Sequence, residues 1–241
     1  MKKTERHQIK RDELVTVIEK GTFYVGHHVR RIVIVSVGLV ALAAGAFGGW
    51  VWRSGQEDKA SFLLGEIIQT YRAPVSVSLD ALQQSTPGSR TFSSTEEKDL
   101  EVVKLADEVL GRYGSSHAAP KAMYYKGLAL SELKRTEEAG KALQDLLSTY
   151  PGDFLAPLAR YELARLKEAH GNPSEALIQY QTLAEDAQGF FPKEEGLMGV
   201  ARCQEALGRK SDALKTYQKI VSEFPNSDYQ FEAKKKVEEL S

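Results

Sequence analysis

The chain has 241 residues, 32 Lys and Arg against 33 Asp and Glu for a formal net charge of −1, 42% hydrophobic residues and one cysteine. That length holds one domain of moderate size beside a tail, and a lone cysteine excludes an internal disulfide, so the fold rests on packing. The balanced charge, with no basic stripe carrying interleaved aromatics, argues against nucleic acid as a partner.

Residues 1–31 form a basic tail: Lys2, Lys3, Arg6, Lys10, Arg11, Lys20, Arg30 and Arg31 face only Glu5, Asp12, Glu13 and Glu19, a net of +4 that leaves −5 for residues 32–241. Leu14, Val15, Ile18 and Phe23 can form a short apolar face, suited to the cytoplasmic leaflet or to a cytoplasmic partner. Residues 32–52, from Ile32 to Trp52, carry no charge. A bilayer core about 30 Å thick needs roughly 20 helical residues to cross, and lipid forces such a run to be a helix. The lysine and arginine excess before it places the tail in the cytoplasm and the rest outside, with Trp50 and Trp52 at the outer interface. Ala44-Gly45-Ala46 resembles a signal-peptidase site, but the long leading tail and span-length core fit an uncleaved anchor better. Ala41, Gly45 and Gly49, four apart, offer a small-residue face to another membrane helix.

Residues 53–93 read as a juxtamembrane helix, Lys59 to Arg72, then a loop rich in Pro, Ser and Gly. Residues 94–241 read as repeats. Segments starting at Ala122, Ala159 and Gly196 align without a gap. Ala139, Ala176 and Ala213 share one position, 37 residues apart; Gly127, Ala164 and Ala201 share another, and Leu143, Tyr180 and Tyr217 a third. Small residues permit close approach of two antiparallel helices, and the large residue one turn later fills the space beside them. Breaks at Lys134-Arg135, Gly171-Asn172 and Gly208-Arg209 separate the paired helices. Asn172-Pro173-Ser174-Glu175 reads as an N-cap followed by proline at the first helical position. Pro151 and Pro225 close two copies, with Gln188 in the corresponding place. A degenerate copy precedes these: Ser94 to Tyr113, opened by a Ser94–Glu97 capping box, pairs with Lys59–Arg72. Gln230 to Leu240 reads as a capping helix, with Phe231, Val237 and Leu240 inward and Lys234, Lys235 and Lys236 facing water.

These segments resemble tetratricopeptide repeats, with small residues at the eighth and twentieth positions and a closing proline. The period is 37 rather than about 34, and Met123, Arg160 and Leu197 stand where the family places a Trp. The expected fold is all-α: one transmembrane helix followed by a tetratricopeptide-like solenoid of antiparallel helix pairs. The layout, with Arg11-Asp12-Glu13-Leu14-Val15 and Phe23-Tyr24 before the span, then Gly49-Trp50 and Gln56-Glu57-Asp58-Lys59-Ala60 after it, resembles the ancillary SecYEG translocon subunit family of bacterial inner membranes. That resemblance implies a periplasmic repeat domain that passes exported chains to periplasmic chaperones.

No HExxH, paired CxxC, phosphate loop or nucleophile elbow occurs, and the acids sit singly on helix surfaces, so no catalytic residue, metal ligand or cofactor site is assigned. Cys203 reads as a small core residue. The groove-facing positions of the first helices give Lys121, Tyr124, Leu128 and Ser131; then Leu158, Tyr161, Arg165 and Glu168; then Glu195, Met198, Arg202 and Glu205. Tyr124, Tyr161 and Met198 supply apolar area for an extended or helical peptide, and Arg165 and Arg202 suit its carboxylates. The expected function is non-enzymatic protein binding by a single-pass inner-membrane protein, through translocon subunits and periplasmic chaperones. An envelope assembly adaptor and a self-associating structural anchor are the alternatives, the last as a homo-oligomer.

Overall fold

A computed structural model describes residues 3–75, 91–186 and 191–241, with side chains described from Val29 onward apart from Ile32. The helices among them are α1 Lys3–Arg72, α2 Thr95–Tyr113, α3 Ala119–Glu132, α4 Thr136–Thr149, α5 Ala156–Ala169, α6 Pro173–Ala184, α7 Lys193–Ala206, α8 Lys210–Glu223 and α9 Gln230–Leu240. The chain divides into two compact units, Met1–Gly55 and Gln56–Ser241.

In the first unit the chain is helical from Lys3 onward. Its apolar stretch includes an 18-residue window of mean hydropathy 2.3, none of it buried, which is long and apolar enough to cross a membrane. Ala41, Gly45 and Gly49 lie exposed on this stretch, and a methyl added at Gly45 or Gly49 would meet nothing within 4 Å. The tail's apolar face, Leu14 to Phe23, lies outside the described side chains.

The second unit is a stack of helix pairs. Its first pair joins residues 56–72 of α1 to α2: Ala60 and Ile67 are buried with Val102, Leu105, Ala106 and Val109 in one core cluster. Residues 56–72 and α2 therefore pack as a helix pair. Ser94 caps α2 by accepting from the Glu97 N–H at 3.1 Å, while the Glu97 carboxylate accepts from the Ser93 N–H, one residue before the expected partner. The connection beyond Arg72 is pinned at its ends, where Val75 and Phe92 form an isolated parallel bridge; residues 76–90 lie outside the described structure.

Three pairs follow: α3/α4, α5/α6 and α7/α8. In the first, 14 helical residues, a turn of three (133–135), 14 more and a connection of six (150–155) account for the period of 37. The extra length over a compact repeat lies in that six-residue connection. It is stitched by repeated bonds: Asp153 N–H to Tyr150 O and Ala156 N–H to Asp153 O recur as Ser227 N–H to Phe224 O and Gln230 N–H to Ser227 O. Gln188 falls outside the described residues.

The turns within each pair share one geometry. Lys134, Gly171 and Gly208 take φ of 60°, 75° and 73°, the left-handed conformation that ends a helix. The next N–H then reaches back to the helix, from Arg135 to Leu130 O, Asn172 to Lys167 O and Arg209 to Gln204 O, at 2.8–2.9 Å. Glycine adopts this backbone without penalty, whereas Lys134 does so at a steric cost. Asn172 does stand at the N-cap with Pro173 after it, but its side chain makes no capping bond; Glu175 pairs instead with Lys167 at 2.6 Å.

The helix pairs close as the small and large residues require. A methyl on Gly127 would come within 2.7 Å of the Leu143 side chain. Ala164 is buried with Tyr180, and Ala201 with Tyr217. Gly199, outside the repeating positions, lies against the Tyr180 ring, and a methyl there would collide with it.

The capping helix α9 occupies the place of another first helix, Ala233 matching Ala159. At the small-residue position that packs a partner helix it carries Glu238, and the neighbouring Lys234 and Lys235 are exposed. That face is polar where the other first helices carry a small residue. Val237 and Leu240 pack inward as expected, but Phe231 is 82% exposed. Its position matches Pro120, which is buried, and Pro157, which is partly so, and the repeat register does not explain its exposure. Lys236 does not face water freely: its Nζ lies 3.1 Å from Glu205.

Two glycine substitutions of identical chemistry should act in opposite directions. A methyl at Gly140 would rest 3.6 Å from Leu166, ordinary contact, so Gly140→Ala should stabilise by about 1 kcal/mol through helix propensity. Gly199→Ala should destabilise by about 1–3 kcal/mol through overpacking against Tyr180. Urea midpoints of the two variants check both signs.

Candidate functional site: the inner face of the helix stack

The first helices α3, α5 and α7 present one side chain row after another, and repeat geometry places equivalent residues one above the next. In α5, Glu168 receives three bonds. Arg202 of α7 grips it with Nε at 2.9 Å and Nη2 at 3.1 Å, and the Tyr180 hydroxyl of α6 donates at 2.8 Å. One repeat later Glu205 takes the Tyr217 hydroxyl at 2.6 Å and Lys236 of α9 at 3.1 Å. Each glutamate thus ties its own second helix to the first helix of the following unit.

Burial and charge set the electrostatics of these links. Burial alone would push the Glu168 carboxyl upward, but the bonds from Arg202 and Tyr180 outweigh it and hold it below the usual carboxylate range. Burial raises the Tyr180 hydroxyl, and its bond to Glu168 raises it further. Glu162, a turn earlier, is the opposite case: burial raises its carboxyl, and Glu195 and Glu132 add to the rise against the pull of Arg165. Asp99 in α2 is buried with both carboxylate oxygens free of hydrogen-bond partners and Lys98 Nζ 3.6 Å away; burial raises it too.

A groove of about 580 Å³ opens between α3 and α5. It brings together six of the residues expected from sequence, Tyr124, Leu128, Ser131, Arg165, Glu168 and Arg202, with Tyr71 beside them. Tyr124 is half-buried, its hydroxyl pushed up to about 12 by burial first and by Glu162 next. Arg165 lies over the Tyr161 ring at 5.7 Å and 3.3 Å from Glu162. Leu158, Tyr161 and Met198, expected to supply apolar area, lie elsewhere. Leu158 is 38% exposed outside the groove lining. Tyr161 packs on Phe191 at 5.0 Å and bonds Glu195. Met198 is fully buried in the cluster of α7, α8 and α9, so it presents no surface to a partner. Arg202 is committed to Glu168. Tyr71 escapes the repeat register because it belongs to the degenerate first copy; its edge-on contact with Tyr125 at 5.2 Å brings it to this groove. No group of three or more metal-ligating side chains occurs among the described residues, and Cys203 is buried, its thiol pushed up to about 11 by burial, then by Glu168.

Two consequences are measurable. Arg202→Ala should cost roughly 1–3 kcal/mol of stability, the scale of hydrogen bonds to a charged group, whereas Arg165→Ala should change it by under about 0.5 kcal/mol. The carboxylates respond to pH with opposite signs. Glu168, depressed in the folded state, contributes stability that is full above its unfolded pKa of about 4.3 and is lost as pH falls through its lower folded value. Asp99, raised, destabilises the fold at neutral pH and is relieved as pH falls through its folded value. Asp99→Asn should therefore raise the urea midpoint at pH 7, with the gain fading toward pH 4, and Glu168→Gln should lower it at pH 7 and flatten the acid limb.

Against known proteins, a family model described as tetratricopeptide repeat matches residues 121–153 and 195–227, two stretches set 74 residues apart, or two periods of 37. No curated protein matches the chain. Among solved structures, the nearly identical TPR-like repeats of a Podosopora anserina protein described as a kinesin light chain are 14% identical, with a TM-score of 0.48 over 60% of this chain and 78% of that one. A double mutant of MamA is 17% identical, with a TM-score of 0.46 over 60% and 85%. YrrB, described as a TPR protein with an unusual peptide-binding site, is 16% identical, with a TM-score of 0.45 over 60% and 79%. The two family-model matches, in phase with the helix pairs α3/α4 and α7/α8, identify these pairs as tetratricopeptide repeats.

Proposed function

We propose that this chain is a non-enzymatic, single-pass membrane protein whose repeat domain binds other proteins outside the cytoplasm, joining the Sec translocon to periplasmic chaperones. The observation that carries the anchor is the apolar helical stretch, exposed at its described residues and preceded by a tail of net +4. The observation that carries protein binding is the groove between α3 and α5, where aromatic and charged side chains stand beside each other on a rigid stack. Leu158, Tyr161 and the groove residues Tyr124, Leu128 and Arg165 form the contact surface in this reading, and Ala41, Gly45 and Gly49 face a partner helix within the membrane.

Crosslinked capture from membranes tests it, using the full chain and a variant carrying Tyr124→Ala and Arg165→Ala together. Recovery of translocon subunits by both forms, with periplasmic chaperones lost from the variant, is the expected result. Capture of cell-wall or outer-membrane assembly factors instead would replace the translocon reading with an adaptor role, and capture of the chain alone would make it a structural anchor. A reporter active only outside the cytoplasm, fused after Ser241, should be active; an inactive one contradicts the topology.

A further inference from the structure

The internal ties along the stack are not complete. Glu168 and Glu205 occupy one position of the repeat, and 37 residues before Glu168 stands Ser131. Tyr180 and Tyr217 occupy another, and 37 residues before Tyr180 stands Leu143. Arg202, which grips Glu168, corresponds to Arg165 in the preceding unit. At the junction of the first two full repeats the arginine is therefore kept while its carboxylate and the supporting hydroxyl are both gone. The groove of about 580 Å³ lies at this junction, with Arg165 and Ser131 both in its lining.

We propose that this groove receives a glutamate side chain from another protein, which takes at Arg165 the place that Glu168 takes at Arg202. The proposal rests on the protein-binding reading above and adds the chemistry of the partner. The built-in example shows the geometry: a carboxylate held by Nε and Nη2 of one guanidinium at 2.9 and 3.1 Å. Such paired, charge-assisted bonds are strong and directional. Arg165 is held ready by the Tyr161 ring at 5.7 Å and is 57% exposed at its side chain. Its present ionic partner, Glu162 at 3.3 Å in the same helix, makes a single contact of the kind worth under about 1 kcal/mol. Tyr71, Tyr124 and Leu128 supply an apolar wall for the residue next to the incoming glutamate. Glu132, Glu162 and Glu168, in the same lining, make a second adjacent acid unfavourable, so the groove selects one glutamate flanked by apolar residues over an acidic run.

The test uses the full chain purified in detergent and two fluorescent nonapeptide libraries, amidated at the C-terminus, with Glu or Gln fixed at the centre and uncharged residues elsewhere. Retention of the Glu library about tenfold over the Gln library is expected, the ratio falling to about one in Arg165→Gln, whose melting temperature stays near wild type. Ser131→Glu supplies the missing carboxylate from within: it should raise the melting temperature and abolish retention, and the rise should vanish when Arg165→Gln is added. Equal retention of the two libraries by the wild type overturns the glutamate assignment while leaving a peptide-binding groove in place. Retention of neither overturns the groove, and capture through another face is then read separately in the crosslinking experiment. Preference for a Gln library with a free C-terminal carboxylate overturns the side chain as the source of the charge.

Discussion

Everything on the inner face depends on how closely the two helices of each pair approach. Gly127, Ala164 and Ala201 remove side-chain bulk from the first helix, and Leu143, Tyr180 and Tyr217 fill the space from the second. Where the filling residue is tyrosine, its ring is buried and its hydroxyl emerges beside the end of the first helix. A buried hydroxyl needs a partner, and Glu168 and Glu205 stand where it emerges. The glutamate in turn needs a cation, which the next unit provides through Arg202 or Lys236. Close packing thus dictates a hydrogen bond, and the hydrogen bond dictates an ion pair. Nearest-neighbour coupling of this kind is how a stack of repeats gains cooperativity without a single shared core.

The same logic explains why the first junction differs. Leucine at 143 fills the pair without a hydroxyl, so no acid is demanded at 131, and Arg165 is left with a weak partner in its own helix. Cohesion there rests on apolar contact from Leu143, Leu146, Leu163 and Ala159, with a hydrogen bond between Thr136 Oγ1 and His170 Nε2 at 2.7 Å. A position released from a structural duty is one that can take an external ligand. Asp99 belongs to the same half of the stack: a buried carboxylate without a hydrogen-bond partner is a stability cost that the surrounding apolar cluster outweighs.

Much of this architecture is legible in the sequence because the repeat is. Three residue positions recurring at 37 define the helix pairs, the turns at Lys134, Gly171 and Gly208, and the capping helix from Gln230. What periodicity does not reach is the state of each groove-facing side chain. Met198 and Tyr161 share a position, yet Met198 is sealed into the cluster that α9 completes, because burial depends on the neighbouring unit rather than on register. Arg165 and Arg202 look alike in the repeat, and only the residue 34 before each, Ser131 or Glu168, decides which one is occupied. A lysine run on a helix end reads as solvated, but the tie from Lys236 to Glu205 spans 31 residues and is invisible to local pattern. Phe231 reads as inward from its hydrophobicity, but it is exposed, a difference that register does not predict. The Asn172 side-chain cap is absent for a local reason: the left-handed turn at Gly171 already directs the Asn172 N–H back to Lys167 O, and the helix start needs no side chain to order it.

The central claim is that one glutamate–arginine tie exists at the second junction and is missing at the first. A pair of double-mutant cycles measures this directly: Glu168→Gln with Arg202→Gln, and Ser131→Ala with Arg165→Gln, each read as unfolding free energy. The account predicts a coupling of roughly 1–3 kcal/mol for the first cycle and a value near zero for the second. Equal couplings in the two cycles, or none between Glu168 and Arg202, would contradict it.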